Sequence, residues 1–145
     1  MTKIAHSILL NTPLEEVFEY ASDWKKWEEW FEGVSNFTST TETQKGIGAR
    51  YKYKAKMGLF NYAIEAEVYE YTENVGFKVV GIKGPPYKSF WSFELIEGKT
   101  KLTYGLEYSI SIPIIGNYID SWWIKPQWNK IIKNSLLNLS KKLNQ

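Results

Sequence analysis

Between residues 49 and 110 the chain repeatedly alternates apolar or aromatic side chains with polar or charged ones. Tyr51 and Tyr53, then Phe60, Tyr62 and Ile64, then Trp91 and Phe93, then Tyr104, Leu106 and Tyr108 fall on one parity of strand-like segments. Successive side chains of a strand point to opposite faces, so this pattern requires a sheet with one wet face and one apolar face. The apolar face is rich in tyrosine. A buried phenol must find a partner or cost roughly 1–3 kcal/mol, so such a face suits a lined pocket at least as well as a solid core. On the opposite parity Arg50, Lys52, Lys54 and Lys56 form a basic stripe. If Gly58 lies in a hairpin turn, the returning strand sets Glu67 near Arg50 and Glu65 near Lys52. That pairing makes the stripe a solvated, neutralised surface rather than a site for anionic partners.

Lys3 to Leu10 reads as a first strand, with Ile4, Ile8 and Leu10 on one face. Thr12-Pro13-Leu14-Glu15 then forms a helix start, with Thr12 as cap and Glu15 completing a capping box. Asp23 caps a second short helix carrying Trp27, Trp30 and Phe31, which Gly33 ends. Val34 to Thr43 is threonine-rich and reads as a polar edge strand. Ala49 to Met57, Phe60 to Tyr71, Val75 to Ile82, Ser89 to Ile96 and Lys101 to Ile112 supply the other strands, with a stiff break at Gly84-Pro85-Pro86. Trp128, Ile132, Leu136, Leu139 and Leu143 form one apolar seam of a long final helix, with Asn129 and Lys130 on its other side. That helix begins near Pro126 or is kinked there, because a proline ring collides with the carbonyl four residues back.

At 145 residues the chain is most simply one domain, 1–145. It contains no cysteine and one histidine, which removes disulfides, thiol catalysis and clustered metal ligands, and neither metal nor cofactor is expected. A formal charge of +2 spread among both signs argues against nucleic acid as a partner. No apolar run approaches the roughly 20 residues of a spanning helix, and the N-terminus lacks a signal pattern, so a cytoplasmic protein is expected.

The order of elements, with these residues, resembles the START-like or SRPBCC superfamily. The resemblance rests on Ser7-Ile8-Leu9-Leu10-Asn11-Thr12-Pro13 through Val17-Phe18, and on Asp23, Trp30 and Val34. It rests further on Gly46 and Gly48, on Phe93-Glu94-Leu95 with Gly98 to Thr103, and on the closing Leu136 to Lys141. It implies an α+β helix-grip fold: a curved antiparallel seven-stranded sheet around a long C-terminal helix, with two short helices after the first strand. It also implies an apolar ligand held between sheet and helix. Members include carriers, sensors, and cyclases or hydrolases, so fold alone does not assign chemistry.

Three functional classes follow. The first is a carrier or sensor for an apolar small molecule, lipid-like or polycyclic. Its binding residues would be Tyr51, Tyr53, Tyr62, Trp91, Phe93, Tyr104, Tyr108, Trp122, Trp128 and Ile132. The second is a polyketide cyclase- or hydrolase-type enzyme using pocket tyrosines or His6, although the inward parities carry essentially no acid or base. The third is a membrane- or protein-docking module built on Tyr118, Trp122, Trp123 and Trp128. Trp122 and Trp123 are adjacent, so on a helix they point about 100° apart and cannot be equally buried.

Overall fold

A computed structural model describes residues 2–57, 60–109 and 119–144. The Gly58 turn, the end of the expected seventh strand at Ile112, and Tyr118 lie outside them. The element order is strand β1 (Thr2–Leu10), helices α1 (Leu14–Ser22) and α2 (Trp27–Trp30), and strands β2 (Val34–Ser39), β3 (Arg50–Met57), β4 (Phe60–Thr72), β5 (Gly76–Lys83), β6 (Tyr87–Ile96) and β7 (Lys99–Tyr108). The long helix α3 (Lys125–Leu143) closes the chain. All pairings are antiparallel, and the sheet runs β1-β7-β6-β5-β4-β3-β2. β1 and β2 are therefore opposite edges, and α1 and α2, which join them, must cross one face of the sheet.

The expected parity holds strand by strand. Tyr51 faces Ala66, Tyr53 faces Ile64 and Ala55 faces Tyr62 across β3 and β4. Trp91 faces Tyr104, and Phe93 faces Leu102, across β6 and β7. The expected charge register is also present. Arg50 stands opposite Glu67, with Nε to Oε1 at 2.8 Å, and Lys52 stands opposite Glu65. Glu65 takes its ion pair from Lys83 at 3.4 Å and a hydrogen bond from Thr40 Oγ1 at 3.0 Å. The exposed Arg50–Glu67 pair contributes little to stability, whereas the Glu65 side chain is itself buried against its partners. A bulge falls between Val68 and Glu70, and Glu70 stays outside on Lys78 at 3.1 Å.

Local chemistry departs from expectation at both kinds of helix start. Thr12 does not cap α1. Pro13 occupies the cap position in extended conformation with no side-chain cap bond, and the Thr12 carbonyl accepts from Thr100 Oγ1 at 2.8 Å. Thr12 lies one residue too early for capping. Asp23 does cap, accepting from the Lys25 amide, but over a 3-10 turn at Trp24–Lys26 that leads into α2. Gly33 follows with φ +85, and a Cβ there would lie 2.6 Å from the Lys56 carbonyl oxygen, so only glycine lets the chain turn so close to β3.

Pro126 is accommodated without a break. A π-helical turn over Asp120–Ile124 precedes α3 and bonds the Lys125 amide to the Asp120 carbonyl. The wider turn relieves the contact between a proline ring and the preceding carbonyls. The lead-in is thus continuous with α3. Beyond it, Ile132, Leu136 and Leu139 are buried with Leu10, Val17, Phe18 and Leu102. Phe18 meets Phe93 edge-on at 4.9 Å between ring centroids. This end of the molecule is a filled core. No helix among the described residues is long and apolar enough to cross a membrane.

Candidate functional site

At the other end of α3 the sheet and helix enclose a partly open cavity of about 140 Å³. Tyr51, Tyr53, Ala55 and Met57 of β3 line it together with Tyr62 and Ile64 of β4. Tyr87, Ser89 and Trp91 of β6, with Tyr104, Leu106 and Tyr108 of β7, supply a second wall. Trp27 of α2 and Phe31 just after it close one side, with Val34 and Phe37 of β2, Ile124 of the π turn and Trp128 of α3. The exposed Pro85 and Pro86 stand at the rim.

The residues that the sequence points to divide clearly. Tyr51, Tyr53, Tyr62, Trp91, Tyr104, Tyr108 and Trp128 all line the cavity. Phe93, Ile132 and Trp122 do not. Phe93 lies one pair along β6, where Phe18 of α1 covers it. Ile132 is one turn beyond Trp128 and is fully buried in the filled core. Trp122 is 85% exposed, because Ile124 faces the cavity and a side chain two residues earlier points to nearly the opposite side of the helix. Trp123, its neighbour, is half-buried.

Other lining residues are brought to the cavity by the topology and not by strand parity alone. Trp27 stacks on Trp91 at 5.3 Å and meets Tyr51 edge-on at 5.5 Å, while its Nε1 donates to the Ala21 carbonyl at 2.7 Å. Phe37 stacks on Tyr53 at 4.9 Å. Tyr87 begins β6 two residues before the expected start, and its ring lies across Gly81, where a Cβ would come within 2.6 Å of it. Glycine at that position lets the ring lie flat, with its hydroxyl 2.6 Å from that of Tyr53.

Among the described lining residues the polar side-chain groups are tyrosine and serine hydroxyls and the indoles of Trp27, Trp91 and Trp128. Tyr53 and Tyr87 share one hydrogen bond. Tyr51 Oη and Trp91 Nε1 are buried with no protein partner among the described residues. Burial is the main cause that pushes Tyr53 up to about 12, against a slight lowering by its bond with Tyr87. Burial likewise holds Tyr51, Tyr87 and Tyr104 above the ordinary phenol range. All four are neutral donors at physiological pH. No Asp, Glu, Lys, Arg or His is among the described lining residues.

One acid stands just behind the wall. Asp120, on the π turn, is buried and accepts from Tyr108 Oη at 2.5 Å and from Thr2 Oγ1. Burial, then the Asp120 bond, holds the Tyr108 phenol well above its usual range. Sequence periodicity gives no sign of Asp120, since the helical pattern becomes regular only after Pro126. His6 bonds Asn129 Oδ1 through Nε2 at 2.6 Å, away from the cavity lining, so Asn129 faces the sheet and not solvent as the seam implied.

No curated protein matches the sequence. Solved structures do match the fold. The protein TTHA0849 from Thermus thermophilus is similar with a TM-score of 0.84 at 16% identity, covering 98% of this chain and 97% of that one. A START superfamily protein from Mycobacterium smegmatis gives 0.80 at 13% identity, with 99% and 97% covered. The Zhui aromatase/cyclase from Streptomyces sp. R1128 gives 0.78 at 8% identity, with 99% and 93% covered. Identities this low speak to fold and not to chemistry. The family model for polyketide cyclase / dehydrase and lipid transport proteins matches residues 1–144, and with the seven-stranded helix-grip fold this places the chain in that family of the START-like superfamily.

Proposed function

We propose that the protein is a cytoplasmic carrier or sensor that holds one apolar small molecule between the sheet and α3. The observation that supports this most is the aromatic cavity itself, uncharged along its described lining and placed where the filled core stops. Burying about 200 Å² of ligand surface there contributes roughly 5 kcal/mol before the costs of association and ordering are subtracted, so apolar contact alone supports weak binding. Hydrogen bonds to the tyrosines would tighten this and fix orientation. Native mass spectrometry of the freshly purified protein, before and after incubation with a panel of small aromatic compounds, is expected to show a one-to-one adduct released on denaturation. A spectrum that stays at the mass of the bare chain throughout would sink the reading.

A second reading, an enzyme of the cyclase kind, draws on the Tyr108–Asp120 contact, a carboxylate within hydrogen-bonding reach of a cavity tyrosine. It ranks lower because the Tyr108 proton is directed at Asp120 and not at the cavity. Turnover of a β-keto probe that Asp120→Asn abolishes, with binding retained, would reverse that ranking.

A further inference from the structure

The long helix α3 has a second face, turned away from the core. Ile131, Ile132, Ser135, Leu136 and Leu139 are buried on one side of it. Pro126, Lys130, Lys133, Leu137 and Lys141 step by four, three, four and four, so they share the opposite side, and all five are exposed. Trp122, 85% exposed, stands one turn before Pro126 and extends the stripe.

Residues 121–145 carry five lysines and no acid, whereas the whole chain has a formal charge of only +2, so the remainder is net negative. Several basic side chains of the sheet are answered locally, Arg50 by Glu67, Lys78 by Glu70 and Lys83 by Glu65. Among the described residues no lysine of α3 has an ion-pair partner. Two acids of the neighbouring α2 are engaged elsewhere: Glu28 accepts from the Asn36 amide at 2.9 Å, and Glu29 from Tyr20 Oη at 3.1 Å. Lys141 and Lys142 suit the negative end of the helix dipole. Lys130 and Lys133 are mid-helix with no acid three or four residues away, so the fold gives neither of them a partner.

A polyanion in water rewards only the lysines of such a stripe. An anionic bilayer rewards all of it: lysines attract the lipid headgroups, while an indole and a leucine gain by entering the boundary between headgroups and acyl chains. We infer that the outer face of α3 docks the protein on an anionic lipid bilayer. Trp122 and Leu137 enter the headgroup boundary, and Lys130 and Lys133 pair with anionic lipid. The cavity lies on the inner side of this helix, at Ile124 and Trp128, so docking leaves its lining untouched and does not depend on an occupant.

Flotation of the full chain with vesicles tests this, using phosphatidylcholine alone and an equimolar mixture with phosphatidylserine. Wild type is expected to float with the mixed vesicles and to stay behind with phosphatidylcholine. Binding should fall in about 1 M salt, where the screening length shrinks to roughly 3 Å. Lys130→Gln/Lys133→Gln should weaken binding by about twentyfold, roughly fivefold for each lysine near the surface. Trp122→Ala should weaken it by about tenfold, the range for burying one large apolar side chain. Lys54→Gln/Lys56→Gln, on the outer face of the sheet, removes the same charge and should change binding by less than about twofold. Circular dichroism should show all three variants folded, because every substituted side chain is exposed. No flotation with the mixed vesicles overturns the inference, and so does a Trp122→Ala variant that floats like wild type. Equal losses in the two lysine pairs, or a duplex oligonucleotide bound as tightly as the mixed vesicles, overturn it in favour of general polyanion attraction.

Discussion

Trp27→Ala is expected to destabilise the protein by about 3–5 kcal/mol, the range for removing a large buried aromatic. Trp27 is 8% exposed and stacks on Trp91 and on Phe77, at 5.3 and 6.3 Å. It also meets Tyr51 and Phe37 edge-on, at 5.5 and 6.0 Å. The substitution removes these contacts and the Nε1 bond to the Ala21 carbonyl, which ties α2 to the end of α1. It also removes one wall of the cavity, which would widen toward α2. Urea unfolding followed by circular dichroism reads the loss. Trp122→Ala is the internal control: at 85% exposure its change should stay within about 0.5 kcal/mol. Equal midpoints for the two variants would show that the cavity floor has been misplaced.

Alkaline pH is expected to unfold the protein steeply between the ordinary phenol range and about 12, the value to which Tyr53 is raised. The direction follows from proton linkage. In the unfolded chain tyrosines ionise near pH 10, whereas in the fold burial keeps Tyr51, Tyr53, Tyr87 and Tyr104 protonated. Above that pH the unfolded state therefore releases protons that the folded state retains. Stability is intact below about pH 10 and falls as pH rises through the folded values, by up to about 1.4 kcal/mol per group per pH unit. Four such groups acting together remove several kcal/mol within one unit. Phenolate absorbance from the cluster and loss of circular dichroism should then rise together in one cooperative step. In Tyr51→Phe/Tyr53→Phe that step should move to higher pH. Gradual ionisation of these tyrosines in a chain that stays folded would contradict the burial assigned to them.

How much of this is legible in the sequence depends on which force places each residue. Strand parity is a local rule, so it assigns Tyr51, Tyr53, Tyr62, Trp91, Tyr104 and Tyr108 to one face without knowledge of the topology. The Arg50–Glu67 and Lys52–Glu65 registers follow from one hairpin for the same reason. Residues placed by long-range geometry are not legible in this way. Trp27 and Phe31 can be given to a helix face, but that this face closes a cavity depends on β1 and β2 being opposite edges of the sheet. Phe37 sits where Asn36 takes a φ of 60 and the β2–β3 register shifts, so its strand's parity is broken just where it matters. Tyr87 shares parity with Ser89, Trp91 and Phe93, a signal that the preceding prolines mask. Trp122 invites assignment to the pocket because it is large and apolar, but on this helix two residues of offset decide the face.

The most direct test of the central claim is where a bound aromatic molecule sits. Solution NMR of the protein with acetylnaphthalene should show intermolecular nuclear Overhauser contacts from the probe to ring protons of Tyr51, Trp91 and Trp128. Those of Phe93 and Trp122 should be silent. Contacts confined to Trp122 or other exposed side chains, or none at saturating probe, would contradict the account.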